Sequence, residues 1–377
     1  GITVDPNTGF QYLEPPEGEA FMREDEYDAL IDDPTAFLFN TWLPRVSKEV
    51  CAIGEPASYR NNLSFLKGGM AMLSYFSAFP AQIDRMRTES GTVSAIAGIF
   101  KAPLDILADK LRGYIGLSMD LIHQPEKVLA ACEALMPHLL HMGLGGADPD
   151  KHVPIGFWMH RGCVPFISHD QFNRFYWPTL KPIIEEFWRH GHQTLFYAEG
   201  DWNHHLESFA ELPDQSIVFH VDRSDIFEAH RVLGHKFCLS GGVPNYLLAY
   251  GTSDEVRAYC KKIIDNVAGD GGYIMDASAI IQNDATIENV RAMTDFTRDY
   301  GVYSGATPSG VSEPPEPELI GMEGRPAPRV APGACIPWDE KARELPALSG
   351  DPDLVRRVWE ANDALGNLYI WHCLLSF

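Results

Sequence analysis

Residues Gln193–Asp222 read QTLFYAEGDWNHHLESFAELPDQSIVFHVD. An apolar run, Gln193–Ala198, ends in Glu199-Gly200-Asp201, a short helical stretch starts at Trp202, and a second apolar run, Ser216–Val221, ends in Asp222. Two short buried runs joined by a helical stretch read as parallel strands with a crossover. The pattern continues in both directions. Upstream lie a helix over Pro125–Met142, a strand over Pro154–His160, and a helix over Gln171–His190 closed by Gly191. Pro137 predicts a kink in the first helix, and Pro178 with Pro182 a kink or break in the second. Downstream lie a helix over Asp225–Leu233, a strand over Lys236–Ser240, a helix over Ser253–Val267, a strand over Tyr273–Met275 and a helix over Ala285–Tyr300. Thr252 or Ser253 caps the helix that Gly269 stops. So many units in one series favour an α/β chain with a (β/α)8, TIM-type barrel over an open doubly wound sheet.

The flanks differ. Gly1–Arg45 is acidic and helix-poor outside Glu24–Ile31. Thr307–Pro337 carries eight prolines, which excludes a long helix or strand and reads as an extended arm. Asp351-Pro352 opens a last helix bearing Trp359, Trp371, Leu374 and Leu375, whose apolar surface needs a partner. The expected division is 1–95 for an N-terminal extension and first barrel elements, 96–306 for the main barrel, 307–350 for the arm and 351–377 for the C-terminal helix. A long arm reaching a neighbour favours a homodimer.

The chain has 377 residues, 52 acidic and 30 basic, for a net charge of −22. That balance excludes a general nucleic-acid binder, which needs clustered cations. No uninterrupted apolar run approaches the ~20 residues of a membrane span, so no membrane partner is expected. Seven scattered cysteines without a C-x-x-C pair, and no signal peptide at Gly1–Phe10, point to a reduced, cytoplasmic protein.

Barrel chemistry sits at the carboxyl ends of strands. Glu199, then His220 with Asp222, then Ser240-Gly241-Gly242, then Asp276 with Ser278 occupy those ends, and alternation puts Tyr197 with Glu199 and His220 with Asp222 on one face. Converging carboxylates and an imidazole can hold a metal through Glu199, His220 and Asp222, or share acid–base work through Asp222, Asp276 and Tyr197. Trp158, His160, Trp202, Ser240 and Ser278 are candidate substrate contacts, and Trp158, Trp177 and Trp202 can line a flat aromatic pocket. The adjacent His204 and His205 read as surface or interface histidines, since ligand pairs on a helix stand three or four residues apart.

Several segments together resemble the uroporphyrinogen decarboxylase superfamily: FNRFYWPTL (Phe172–Leu180), GHKFCLSGGVP (Gly234–Pro244), GGYIMDASAIIQNDATIENV (Gly271–Val290), and APLDILADKLRGYIGLSMD (Ala102–Asp120) followed by Gln124-Pro125-Glu126. The resemblance covers roughly residues 95–302 and implies a TIM-type barrel with its site at the strand carboxyl ends. The family's R-Q-A-G-R stretch is not found, and Ala277-Ser278-Ala279 stands where its G-H-G turn carries a histidine. Both departures speak against porphyrinogen decarboxylation. The closer branch comprises zinc-dependent methyltransferases serving corrinoid proteins. Where its thiol-methylating members carry H-x-C-G-D, this chain has Tyr197-Ala198-Glu199-Gly200-Asp201, and Ser278 or a neighbour replaces a later cysteine. The resemblance thus implies zinc on a harder oxygen and nitrogen site, Glu199 with His220 or Asp222. The expected activity is O-demethylation: a methyl group moves from a small methoxylated, aromatic substrate to a corrinoid held by a partner protein. The alternatives are a decarboxylase of a non-porphyrin acid, using Asp222 or Asp276 for the proton, and a barrel that only binds.

Overall fold

A computed structural model describes all of the chain except residues 1, 6–8, 13–15, 48, 270, 282, 304–321, 323, 325–326, 349 and 377. It divides into two compact units. One comprises Gly1–Ala95, Pro103–Gly145 and Gly324–Phe377, the other Ile96–Ala102 and Gly146–Glu323.

The second unit holds the sheet. After a short N-terminal hairpin in the other unit, β1 (Ile2–Asp5) with β2 (Gly9–Tyr12), the strands are β3 (Ile99–Phe100), β4 (Ile155–Met159), β5 (Thr194–Ala198), β6 (Ile217–Val221), β7 (Cys238–Val243) and β8 (Tyr273–Ala277). β3 to β8 pair in chain order, and every pairing is parallel. Helices return the chain between them, including Trp177–Arg189, Ile226–Leu233 and Ser253–Val267. Parallel strands in sequential order with helical crossovers are the order of a β/α barrel.

Register sorts the side chains into two rows. Phe157, Phe196, Phe219 and Leu239 stand abreast on the helix side, none more than 1% exposed. Phe209, from the helix Leu206–Phe209, packs its ring 4.7 Å from Phe196 and 5.2 Å from Phe219. One residue further along each strand, Trp158, Tyr197, His220, Ser240 and Ile274 form the row on the other face.

Two strands run longer than the sequence pattern implies. β7 continues through Gly241-Gly242 to Val243, so Ser240 is mid-strand; β8 continues to Ala277, so Asp276 lies inside its end. The doublet reads as a turn but does not make one. A Cβ on Gly241 (φ +81°) would stand 2.4 Å from the Val221 carbonyl oxygen, so glycine lets β6 and β7 approach there.

The helix Ser253–Val267 has the expected bounds, with a reciprocal capping box between Thr252 and Glu255. The helix Pro125–Gly145 runs on through Pro137. In the segment with Pro178 and Pro182 the irregularity precedes both prolines, as a wide π-turn over Phe172–Tyr176; Pro178 then sits in the first turn of Trp177–Arg189, where its missing N–H costs nothing.

The first unit bears out the helix expected at Glu24–Ile31, as Tyr27–Asp32, and corrects the helix-poor reading of the rest of Gly1–Arg45: Pro34–Phe37, Leu38–Trp42 and Leu43–Val46 are also helical. It also contains a 32-residue helix, Tyr59–Ser90, that the sequence reading missed. Among the described residues one helix, Pro125–Gly145, is long and apolar enough to cross a membrane by length and mean hydropathy, although Glu133 and Pro137 interrupt its apolar run and half of its apolar window is buried within the chain, as in a core helix. The expected arm lies outside the described residues over 307–321 and at 323, 325 and 326; its described end, 327–337, has no helix or strand and leads into a short helix, Trp338–Glu344. The C-terminal helix spans Pro352–Ser376, and His138 stacks on its Trp371 at 4.9 Å.

Candidate active site

The carboxyl ends of β5 to β8 surround a cleft of about 830 Å³ whose walls include Glu199, Asp222, Arg223, Asn245, Lys262 and Ser278. That volume suits a small organic molecule. Phe227, Tyr246 and Tyr259 give it aromatic surface.

Asp222 is the most firmly held group there. Oδ2 accepts the Gly200 N–H at 2.8 Å, and Oδ1 accepts the Ala279 N–H at 3.1 Å. The Ser278 hydroxyl donates to the Asp222 carbonyl at 3.0 Å. Burial pushes the carboxyl above its usual range, against the opposing pull of the two amides. Gly200 makes this possible: its φ is +101°, and a Cβ there would fall 2.4 Å from Cys163 Sγ. Ile280, with a φ of +42°, is strained, since a β-branched residue avoids positive φ. Its N–H donates to Tyr197 Oη at 2.6 Å, and the Asn245 amide donates to the carbonyls of Ala279 and Ile280 at 2.7 and 2.9 Å. The segment standing where the family's histidine is expected thus serves as a backbone clamp.

Glu199 is oriented by two indoles. Trp158 Nε1–H donates to its Oε2 at 2.8 Å, and Trp202 Nε1–H to its carbonyl at 2.9 Å. His160 Nδ1 lies 3.8 Å from the same Oε2. Trp202 is wholly buried and supports Glu199 from behind. Trp177, nearly buried, donates to Glu211 instead.

His220 lies one row deeper. Its Nδ1 is 2.7 Å from Ser240 Oγ and 3.9 Å from Asp276 Oδ2, its ring stacks on Tyr197 at 4.4 Å, and its Nε2 is buried with no hydrogen-bond partner among the described residues. Burial pushes the imidazole down to about 4, so it is neutral near pH 7. Burial also raises Asp276, whose Oδ1 accepts the Ala277 N–H at 2.8 Å.

Of the residues expected from sequence, Glu199, Asp222 and Ser278 line the cleft together. Tyr197, His220, Ser240 and Asp276 form a connected group on the same face of the sheet, and Trp158 and His160 flank Glu199. Arg223, Lys262, Asn245 and Tyr259 were missed. Arg223 follows Asp222 directly and could have been found from the strand-end rule; the others reach the cleft only through the fold. His205 is not a surface residue: it is fully buried, its ring 3.8 Å from Phe172, with Nδ1 3.4 Å from Nδ1 of His169.

The zinc site implied by resemblance does not fit this geometry. Both Asp222 oxygens accept backbone amides, the Glu199 carboxylate accepts an indole, and His220 Nδ1 faces Ser240. Among the described residues no three His, Cys, Asp or Glu side chains are grouped to hold a metal.

A parallel β/α barrel with a polar cleft at the strand carboxyl ends defines the class. The family model described as Uroporphyrinogen decarboxylase (URO-D) matches residues 53–300, well over half of the chain, and the chain belongs to that family, an α/β (β/α)8 barrel. A solved structure of a methyltransferase from Methanosarcina mazei superposes with a TM-score of 0.45 at 18% identity, over 58% of this chain and 63% of that one, so the match spans less than two thirds of the archaeal protein. No curated protein matches.

Proposed function

We propose that this chain is a methyltransferase of the O-demethylase type, taking the methyl group of a small methoxylated aromatic compound, with a corrinoid protein as acceptor. The observation that carries the reading is Asp222, a carboxyl raised by burial and aimed into an aromatic-walled cleft by two backbone amides. Cleaving an aryl methyl ether leaves an electron pair on oxygen, and a proton delivered there turns a poor leaving group into a phenol. Asp222 supplies that proton and regains it from water. Phe227, Tyr246 and Tyr259 hold the ring, and Glu199, fixed by Trp158, orients a substrate hydroxyl. The corrinoid of the partner protein supplies the nucleophile that accepts the methyl group. No step is assigned to zinc.

The second reading is a decarboxylase, favoured by Arg223 and Lys262 in the same cleft, two cations suited to a substrate carboxylate. There Asp222 protonates carbon after CO2 departs. An anaerobic assay of the purified chain with methoxyarenes and a reduced corrinoid protein decides between them. Phenol formation that requires the corrinoid protein supports methyl transfer. CO2 release from an aromatic acid without it, and no phenol, overturns the first reading.

A further inference from the structure

Asn245 opens the short helix Asn245–Tyr250. Asparagine at a helix start ordinarily turns its side chain back onto its own backbone, but no side chain caps this helix. The amide reaches instead to residues 34 and 35 positions away and gives both N–H bonds to the turn after β8, at 2.7 Å to the Ala279 carbonyl and 2.9 Å to that of Ile280. Its acceptor is left over: Asn245 Oδ1 is buried with no hydrogen-bond partner among the described residues. An apolar side chain would avoid that cost, since an orphaned buried acceptor loses its water for nothing. The turn carries a cost of its own. Ile280 holds its φ of +42° although its side chain is 48% exposed, so burial of that side chain does not force the conformation. Two unfavourable features in contact, with no gain in burial, mark a place kept for chemistry rather than stability.

What the turn does is aim two N–H groups. That of Ala279 goes to Asp222 Oδ1 at 3.1 Å, and that of Ile280 to Tyr197 Oη at 2.6 Å. We propose that Asn245 is a positioning residue: it fixes the strained turn so that these two amides orient Asp222 and Tyr197. Its consequence for turnover rests on the reading of Asp222 as the proton donor; its geometry does not. An N–H favours the charged form of the group that accepts it, and these bonds oppose the effect of burial on both groups. Asp222 also feels Arg223, which lowers it, and Glu199, which raises it. Asp225, Tyr246, Tyr259 and Lys262 line the same cleft, and Asp276 and His220 stand beside Tyr197. Among the described residues none of these is hydrogen-bonded to Asn245, so a shift on removing the amide reports the turn.

The test is Asn245→Leu, which keeps the branched shape and removes both donors, in the full chain labelled with carbon-13 at aspartate carboxyl and tyrosine ring carbons. The signals of Asp222 and Tyr197 are assigned by their absence in Asp222→Asn and Tyr197→Phe. With the turn released, both titration midpoints are expected to move to higher pH, because each anion loses an N–H. In the methyl-transfer assay kcat is expected to fall about 10²-fold with KM within a factor of two, the loss that follows when a reacting group is misplaced. The limb of the rate profile that needs protonated Asp222 should follow its midpoint upward. Unchanged midpoints overturn the proposal even if the variant melts earlier, since Asn245 then only supports the fold. Midpoints that rise while the rate profile stays in place uphold the positioning role and remove Asp222 as the proton donor. Should Asn245→Leu not fold, Asn245→Ser, whose shorter side chain also lacks the amide donors, is read in the same way.

Discussion

The two faces of the parallel sheet differ by one residue along each strand, and almost everything else about them differs too. On the helix side Phe157, Phe196, Phe219 and Leu239 are closed off from water and touch rings or aliphatic groups. On the other side Trp158, Tyr197, His220 and Ser240 are hydrogen-bonded or stacked on one another, and two residues further on the strands and their ends deliver Asp222 and Asp276. Both rows have the same backbone geometry and register. The helix-side row gains by excluding water. The polar row gains only where each buried polar atom has a partner, and His220 Nε2 has none among the described residues. Stability and chemistry are separable here by a single step along the chain.

The largest effect belongs to the apolar row. Phe219→Ala removes a fully buried ring from contact with Phe196 and Phe209, with an expected cost of about 3–5 kcal/mol. Chemical denaturation measures it, and a loss below about 1 kcal/mol would mean that this face is not the core.

Across the sheet the balance reverses. Asp222→Asn keeps the shape but cannot accept both the Gly200 and Ala279 amides, so about 1–3 kcal/mol of stability is lost. Turnover is expected to fall about 10²–10⁴-fold with the proton donor gone. Unchanged turnover by this variant removes Asp222 from the mechanism.

Acid sharpens the comparison further. His220 titrates at about 4 in the folded chain and near 6.5 unfolded, so between those values the unfolded chain binds more protons. Its contribution is fully present above pH 6.5 and is lost as pH falls toward 4, at about 1.4 kcal/mol per pH unit. His205 and, in the other unit, His138 titrate at about 4 for the same reason, burial, and act in the same direction. Asp222 and Asp276, raised by burial, act in the opposite sense near their own range. His220→Phe is expected to flatten the loss of stability between pH 6.5 and 4 by one histidine's share. An unaltered slope in urea titrations would show that His220 is protonated in the folded chain.

Much of this contrast was legible in the sequence. Short apolar runs ending in polar residues located five strands and placed Glu199 and Asp222 at one end, because pleat and crossover leave little choice once strands are parallel. Strand ends at Gly241-Gly242 were not legible, since glycine signals both a turn and a close strand contact. The helix Tyr59–Ser90 was hidden because Gly68, Gly69 and Pro80 lower helical propensity and its aromatics favour strands, although Ser58 with Asn61 and the closing Gly91 mark its ends. Lys262 and Tyr259 could not be placed at the cleft without knowing how their helix packs. The partner of His205, His169, is 36 residues away.

The smallest effect tests whether the polar row also orients. Trp158→Phe keeps an aromatic ring beside Tyr197 but removes the N–H that fixes Glu199 Oε2. Glu199 is 37% exposed on its side chain, so water can replace the lost donor, and stability should change by no more than about 1 kcal/mol. What should change is the spread of carboxylate orientations, and with it substrate binding: a rise in KM of a few-fold with kcat within a factor of two is the expected split if Glu199 aligns the substrate before reaction and takes no part in moving the proton. A fall in kcat at constant KM would instead give Glu199 a role in the transition state and would move the proton donor from Asp222 toward the indole-bound carboxylate.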